Sequence, residues 1–269
     1  MRYTNIPDTY LKDGLKYCKK CETPREAVIE LPGVIFGADA GTTVTRTVTC
    51  LCKCLTEERD KQEAEDERMK RQYKIDRMIE TGYHDTKLRK YTFAKADVNS
   101  EHIEKARQYV DRFTEFKTDG IGLMMYGDVG NGKTFMAACI ANALIDKLVP
   151  VCMTNTSKIL GMEFAEREYF IRNLDKYQLL IIDDFGIERE TSYATEQIYN
   201  IINERYKSGL PLIVTTNLMP SAMDEEIDIN KKRIYSRVKE MCMPLRFAGG
   251  SRREALRKQK LAEARKIFS

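Results

Sequence analysis

Four short apolar runs punctuate the C-terminal two thirds of the chain: 121–126 (IGLMMY), 149–154 (VPVCMT), 178–183 (QLLIID) and 210–216 (LPLIVTT). Each is too short for a helix and long enough for a buried strand, and the stretches between them have room for crossover helices. Strands that are apolar throughout and alternate with helices predict an α/β fold with a parallel sheet flanked by helices on both faces. In such a sheet the C-terminal strand ends line one edge, where a ligand would sit. Upstream the pattern changes. Residues 56–80 (TEERDKQEAEDERMKRQYKIDRMIE) are almost all charged, and Glu57/Lys61, Asp66/Lys70 and Glu67/Arg71 stand at the i,i+4 spacing that supports a solvated helix. The alternative reading makes Met69, Tyr73 and Met78 a docking stripe for a partner helix. Before that helix, Cys18 to Cys54 is rich in Gly, Thr and β-branched residues, which suits short strands and turns.

Composition narrows the class. Of 269 residues, 42% are hydrophobic and 32% charged, which argues against a membrane protein and against wholesale disorder. No apolar stretch approaches the ~20 residues of a spanning helix. The opening segment also lacks the basic and apolar regions of a secretory signal, so a cytoplasmic protein with no membrane partner is expected. Eight cysteines in that setting point to metal binding or buried thiols rather than a disulfide framework. The net charge of +4 is small, and its excess is concentrated in the tail from Arg252, which has helical propensity. The expected domains are a cysteine-rich module over 1–55, a charged helical linker over 56–88, a nucleotide-binding domain over 89–253 and a basic C-terminal helix over 254–269.

Gly127-Asp128-Val129-Gly130-Asn131-Gly132-Lys133-Thr134 fills every position of G-x-x-x-x-G-K-[ST], between a strand and a helix. The glycines let backbone N–H groups and the following helix N-terminus wrap a phosphate chain. Lys133 would then reach the β- and γ-phosphates of ATP, and the Thr134 hydroxyl would ligate Mg²⁺. Fifty positions after the lysine, the apolar run 179–182 ends in Asp183-Asp184. Asp183 suits Mg²⁺ and Asp184 the water that attacks the γ-phosphate. The strand ending at Thr216 places Asn217 at the same sheet edge, while Arg237 falls on a helix and Arg253 follows a glycine pair.

Cys18-Lys-Lys-Cys21 and Cys50-Leu-Cys52-Lys-Cys54 offer five thiols, four of which suffice for tetrahedral Zn²⁺. The spacing leaves open which of Cys50, Cys52 and Cys54 is not a ligand. Cys139, Cys152 and Cys242 lie on helical or strand patterns and are expected to be packing residues.

The ordered set GDVGNGKT, LLIIDDFG, VTTNL, YSRV and GGSRR, within about Tyr91 to Arg253, resembles the AAA+ ATPase core of DnaC/DnaI-type helicase loaders and of the related IstB-type transposition ATPases. The resemblance implies an AAA+ P-loop fold. It also implies that Asn217 is the sensor-1 residue, Arg237 an arginine finger reaching a neighbouring subunit's nucleotide, and Arg253 the sensor-2 arginine. Most AAA+ ATPases have Glu where this chain has Asp184, which bears on the rate of hydrolysis, and Glu188 is a candidate auxiliary. A cysteine module and charged linker ahead of this core resemble DnaI-type loaders and phage homologues. By that resemblance the N-terminal region docks on a replicative DnaB-type helicase, the core binds single-stranded DNA, and the chain self-associates through the ATP site. The function implied is ATP-dependent loading of that helicase. The alternatives are an IstB-type ATPase that binds duplex DNA and recruits a transposase, and a nucleotide-sensing adaptor with little turnover.

Overall fold

The computed structural model describes residues 8–32, 39, 41–83, 85–96, 101–186, 191–248 and 252–268. The chain divides into a unit spanning Met1–Tyr73 and one spanning Lys74–Ser269. In the first, β1 (Thr9–Lys12) and β2 (Leu15–Cys18) form an antiparallel hairpin, and β3 (Glu26–Pro32) and β4 (Thr43–Thr49) form another. Asp13 and Gly14, at φ 51° and 78°, make the two-residue turn of the first hairpin. Left-handed residues at both turn positions match the twist of the flanking strands. Among the described residues of this unit, the buried apolar side chains are Cys18, Cys52 and Leu55. So small a core contributes little hydrophobic stabilisation, and units of this size commonly rely on a metal or another cross-link.

Helix α1 (Lys53–Gly82) carries the charge run. The three apolar residues of the supposed docking stripe do not share one environment. Met69 and Tyr73 are exposed, whereas Met78 packs, beside buried Ile75, into the core of the C-terminal unit.

The C-terminal unit is built on β5 (Gly122–Tyr126), β6 (Val151–Asn155), β7 (Leu179–Phe185), β8 (Leu212–Thr216) and β9 (Cys242–Arg246). They are all parallel and ordered β6-β7-β8-β5-β9. The helices are α2 (Glu101–Asp111), α3 (Phe113–Thr118), α4 (Lys133–Asp146), α5 (Thr156–Gly161), α6 (Phe164–Arg172), α7 (Ser192–Ser208), α8 (Pro220–Asp224), α9 (Ile229–Met241) and α10 (Arg252–Phe268). Strand alternation sorts the apolar runs into two cores. Leu123, Met125, Ile181 and Ile213 pack with Ile103 of α2 and Ile140 and Leu144 of α4, while Met124, Leu180, Ile182 and Val214 pack with Ile198 and Ile202 of α7 and Val238 of α9. Both faces are covered, as the continuous apolar runs require.

Four strands are expected from the apolar runs, and the described residues of the C-terminal unit form a sheet of five. The addition is β9, whose sequence CMPLR contains a proline that reads as a strand breaker. Proline is tolerated on an edge strand, and β9 pairs with β5 alone. Cys139, Cys152 and Cys242 are buried, as expected of packing residues, and burial pushes the Cys139 and Cys152 thiols up to about 12. Arg205 of α7 is also fully buried. Its guanidinium donates to the carbonyls of Leu174, Tyr177, Gln178 and Pro211 at 2.7–3.2 Å, fastening the segments that lead into β7 and β8.

Candidate nucleotide site

Parallel pairing brings the C-terminal ends of β5, β7, β8 and β9 to one edge. Gly127, the first residue after β5, has φ 136°, and a Cβ there would lie 2.2 Å from the carbonyl oxygen of Phe247. Only glycine fits where the loop passes the end of β9. Gly130 and Gly132 also take positive φ, and Gly132 is the N-cap from which α4 starts at Lys133. The N-terminal N–H groups and dipole of α4 therefore adjoin the loop and favour an anion there. Val129 is exposed, and the Asn131 side chain donates to Phe247 O at 3.2 Å.

Lys133 is only 6% exposed, and hydrogen bonds to oxygen atoms of the loop and of Asn217 hold it in place. Its ammonium donates to the carbonyls of Gly127 and Asp128 at 2.7 and 2.8 Å and to Asn217 Oδ1 at 2.8 Å. Asn217, just past β8, is thus joined to the phosphate-binding loop. Thr134 Oγ1 donates to Asp183 Oδ1 at 2.9 Å. The pair offers hard oxygen donors beside the loop, which suits Mg²⁺, and Thr134 and Asp183 are the residues that would hold it. When bound there, the ion supplies charge neutralisation to the phosphates. Asp184 is exposed, with φ 53°.

Two residues at this site are absent from the sequence reading. Thr215 donates to Asp183 Oδ1 at 2.5 Å and accepts from the Asp184 N–H at 3.0 Å. Phe247 supplies the carbonyl beside Gly127 and Asn131 and stacks on His102 at 4.3 Å between centroids. Thr215 lies within the VTTNL segment, but a pair of hydroxyl residues closing an apolar strand by itself carries no chemistry.

Arg237 sits on α9 against α7, its guanidinium 4.8 Å from the ring centre of Tyr199 and 5.6 Å from that of Tyr206. A hydrogen bond from Arg237 holds the Tyr199 hydroxyl below its ordinary range, while Tyr206 donates to Glu240 at 2.8 Å. Arg237 Nη1 is buried without a hydrogen-bond partner among the described residues. The arginine lines an open groove of about 620 Å³ with Lys232, Arg233 and Ser236. It is half-buried and held on two aromatic rings, unlike a freely solvated surface charge. Arg253 lies on α10 with its side chain outside the described residues, as does the whole of Glu188.

In the N-terminal unit the Sγ atoms of Cys18, Cys21, Cys52 and Cys54 all lie within 4.8 Å of one another. Cys18 and Cys54 are 3.6 Å apart and Cys52 and Cys54 3.3 Å. Tetrahedral zinc with Zn–S near 2.3 Å needs sulfur separations of about 3.8 Å, so the donor set fits. Cys50 is the thiol left over, turned toward Pro24 O at 3.5 Å. The Thr23 hydroxyl helps hold Cys21 down to about 5, whereas the neighbouring Cys52 thiol and burial push Cys54 up to about 12. Thiols this close do not all ionise without a cation between them.

The sequence pattern of the IstB-like ATP binding protein family matches residues 27–258. The chain belongs to that family. That family is one of ATP-binding proteins, and residues 127–134 of this chain supply its P-loop, at the edge of a parallel sheet ordered β6-β7-β8-β5-β9. The chain is 26% identical over 182 residues to the replicative helicase loader DnaI of Bacillus subtilis, covering 60% of this chain and 58% of that one. It is 28% identical over 144 residues to the replicative helicase loader DnaC of Escherichia coli K12, covering 51% and 56%. A third relative, described as an ATP-binding protein in an insertion sequence of Mycobacterium tuberculosis, is 32% identical over 107 residues, covering 38% and 43%. This chain thus spans roughly half the length of the curated relatives it matches. Among solved structures, a crystal structure of DnaI superposes with a TM-score of 0.54 at 21% identity, covering 64% of this chain and 95% of that one, a likeness of fold. Among the described residues no helix is long and apolar enough to cross a membrane.

Proposed function

We propose that this protein is a cytoplasmic ATPase that loads a replicative DnaB-type helicase onto single-stranded DNA. The observation that carries the reading is the combination, in one chain, of a P-loop site already hydrogen-bonded through Lys133, Thr134, Asp183 and Asn217 with a separate unit gathered around four thiols. Kinship with proteins named helicase loaders supports it. In this reading Lys133 binds the β- and γ-phosphates, Asp184 orients the attacking water and Asn217 senses the γ-phosphate. Arg237 and Arg253 stabilise its charge, Arg237 from a neighbouring copy. The N-terminal unit docks on the helicase.

The test is a pull-down with purified DnaB-type helicase, with and without ATP and single-stranded DNA. The intact chain retains helicase, and Cys54→Ser does not. A second reading, transposition targeting, is favoured by the insertion-sequence relative. Duplex-DNA binding with capture of a transposase and no helicase retention would establish it. Intact nucleotide affinity with background turnover, even with helicase and DNA present, would make the protein a nucleotide-sensing adaptor.

Cys18, Cys21, Cys52 and Cys54 are assigned to Zn²⁺. Elemental analysis of protein purified without chelator is expected to find about one zinc per chain. Chelation should unfold the N-terminal unit and leave the thermal transition of the C-terminal unit in place, because that unit has its own two-faced core. Metal-free protein with an intact N-terminal unit would contradict the assignment.

A further inference from the structure

β7 and β8 fall out of step at the centre of the nucleotide site. Ile182 pairs with Val214 and Phe185 with Thr216, so Asp183 and Asp184 together face the single residue Thr215. This is a β-bulge, rare between parallel strands and over-represented next to active sites, where it re-aims a side chain. Regular alternation would send two consecutive side chains to opposite faces of the sheet. Here Asp184 instead takes φ 53°, a left-handed conformation that non-glycine residues seldom adopt. Its side chain is exposed at the strand tip, whereas Asp183 stays buried.

Thr215 closes the bulge. Its hydroxyl, completely buried, accepts from the Asp184 N–H at 3.0 Å and donates to Asp183 Oδ1 at 2.5 Å. One O–H hydrogen and one lone pair are each used on a different carboxylate residue. The bond to the Asp184 amide replaces the ladder bond that the bulge forfeits and holds the left-handed turn. The bond to Asp183 falls on the same oxygen that accepts from Thr134, so the carboxylate is oriented from the loop on one side and from β8 on the other. Valine has nearly the same shape and can make neither bond.

We propose that Thr215 is a positioning residue for ATP hydrolysis, acting through Asp183 and Asp184 and setting the direction of both. The inference rests on the ATPase reading above. It predicts that Thr215→Val lowers kcat by about 10²-fold, the scale of an ångström-sized misplacement, with affinity for a fluorescent ATP analogue in the absence of Mg²⁺ within about twofold of wild type. The increase in affinity on adding Mg²⁺ should be lost with it, because Asp183 loses its anchor on β8. Thr215→Ser, which keeps the hydroxyl, should recover both properties.

The experiment measures steady-state turnover and analogue titrations with and without Mg²⁺ for wild type, Thr215→Val and Thr215→Ser. Undiminished turnover and Mg²⁺ response in Thr215→Val would overturn the proposal. So would a Thr215→Ser protein as impaired as Thr215→Val, which would assign the effect to the methyl group. If Thr215→Val does not fold, Thr215→Ser against Thr215→Ala, which differ only in the hydroxyl, decides the matter by the same readouts. Should wild type itself show no turnover, hydrolysis is refuted separately, and the Mg²⁺ response of analogue binding still tests Thr215.

Discussion

Lys133→Ala is expected to lose nucleotide affinity by at least ~10²-fold and ATP turnover altogether. Each charge-assisted hydrogen bond from the ammonium to phosphate oxygen contributes about 1.5–3 kcal/mol, and two of them at the low end already account for that loss. The geometry adds a reason for expecting a clean effect. The ammonium is aimed by Gly127 O, Asp128 O and Asn217 Oδ1 rather than reaching from solvent, so no other cation of the loop can take its place. Fluorescent-analogue titration measures the affinity, and Asp184→Asn is the control, expected to bind and not turn over. Equal affinity in wild type and Lys133→Ala would remove the P-loop assignment.

Arg237→Ala is expected to bind ATP like wild type and to hydrolyse it ~10³-fold or more slowly, the scale reported for arginine fingers. The side chain is held on the rings of Tyr199 and Tyr206, with Nη1 lacking a hydrogen bond among the described residues. A planar cation pre-oriented in this way loses little freedom on meeting a phosphate. The proposed action in trans has a distinctive consequence. Arg237→Ala retains a working P-loop and Lys133→Ala retains a working finger, so mixing the two should restore part of the DNA-stimulated rate that neither has alone. Undiminished turnover by Arg237→Ala at every protein concentration would reduce this arginine to a structural cation stacked on α7.

Much of the site was legible because its determinants are local. The eight residues 127–134 carry the phosphate loop in their own order, and the apolar run before Asp183 marks a buried strand whatever its neighbours. The resemblance then supplied roles for Asn217 and Arg237 that no local pattern contains, and the structure adds the bond from Lys133 to Asn217. Other features were not legible. β9 hides behind Pro244, a residue that breaks a central strand and is harmless at an edge, and edge position is a property of the sheet. The set Met69, Tyr73 and Met78 reads as one stripe on a helical wheel, yet Met78 belongs to a core that the wheel does not represent.

The sequence alone determined the class of chemistry: a P-loop, an acidic strand end and a thiol-rich N-terminal unit follow from residue types at short spacings. Only the tertiary structure decided which thiols gather and leave Cys50 aside, that two aspartates face one threonine, and that Arg237 lies on two tyrosines. The physical reason is the range of the interactions. Turn, helix and strand preferences act within a few residues and leave a periodic trace in the chain. Strand register, bulge closure and side-chain stacking join positions tens of residues apart, such as Asp183 with Thr215 and Cys18 with Cys54, and are set by packing between elements that no local period encodes.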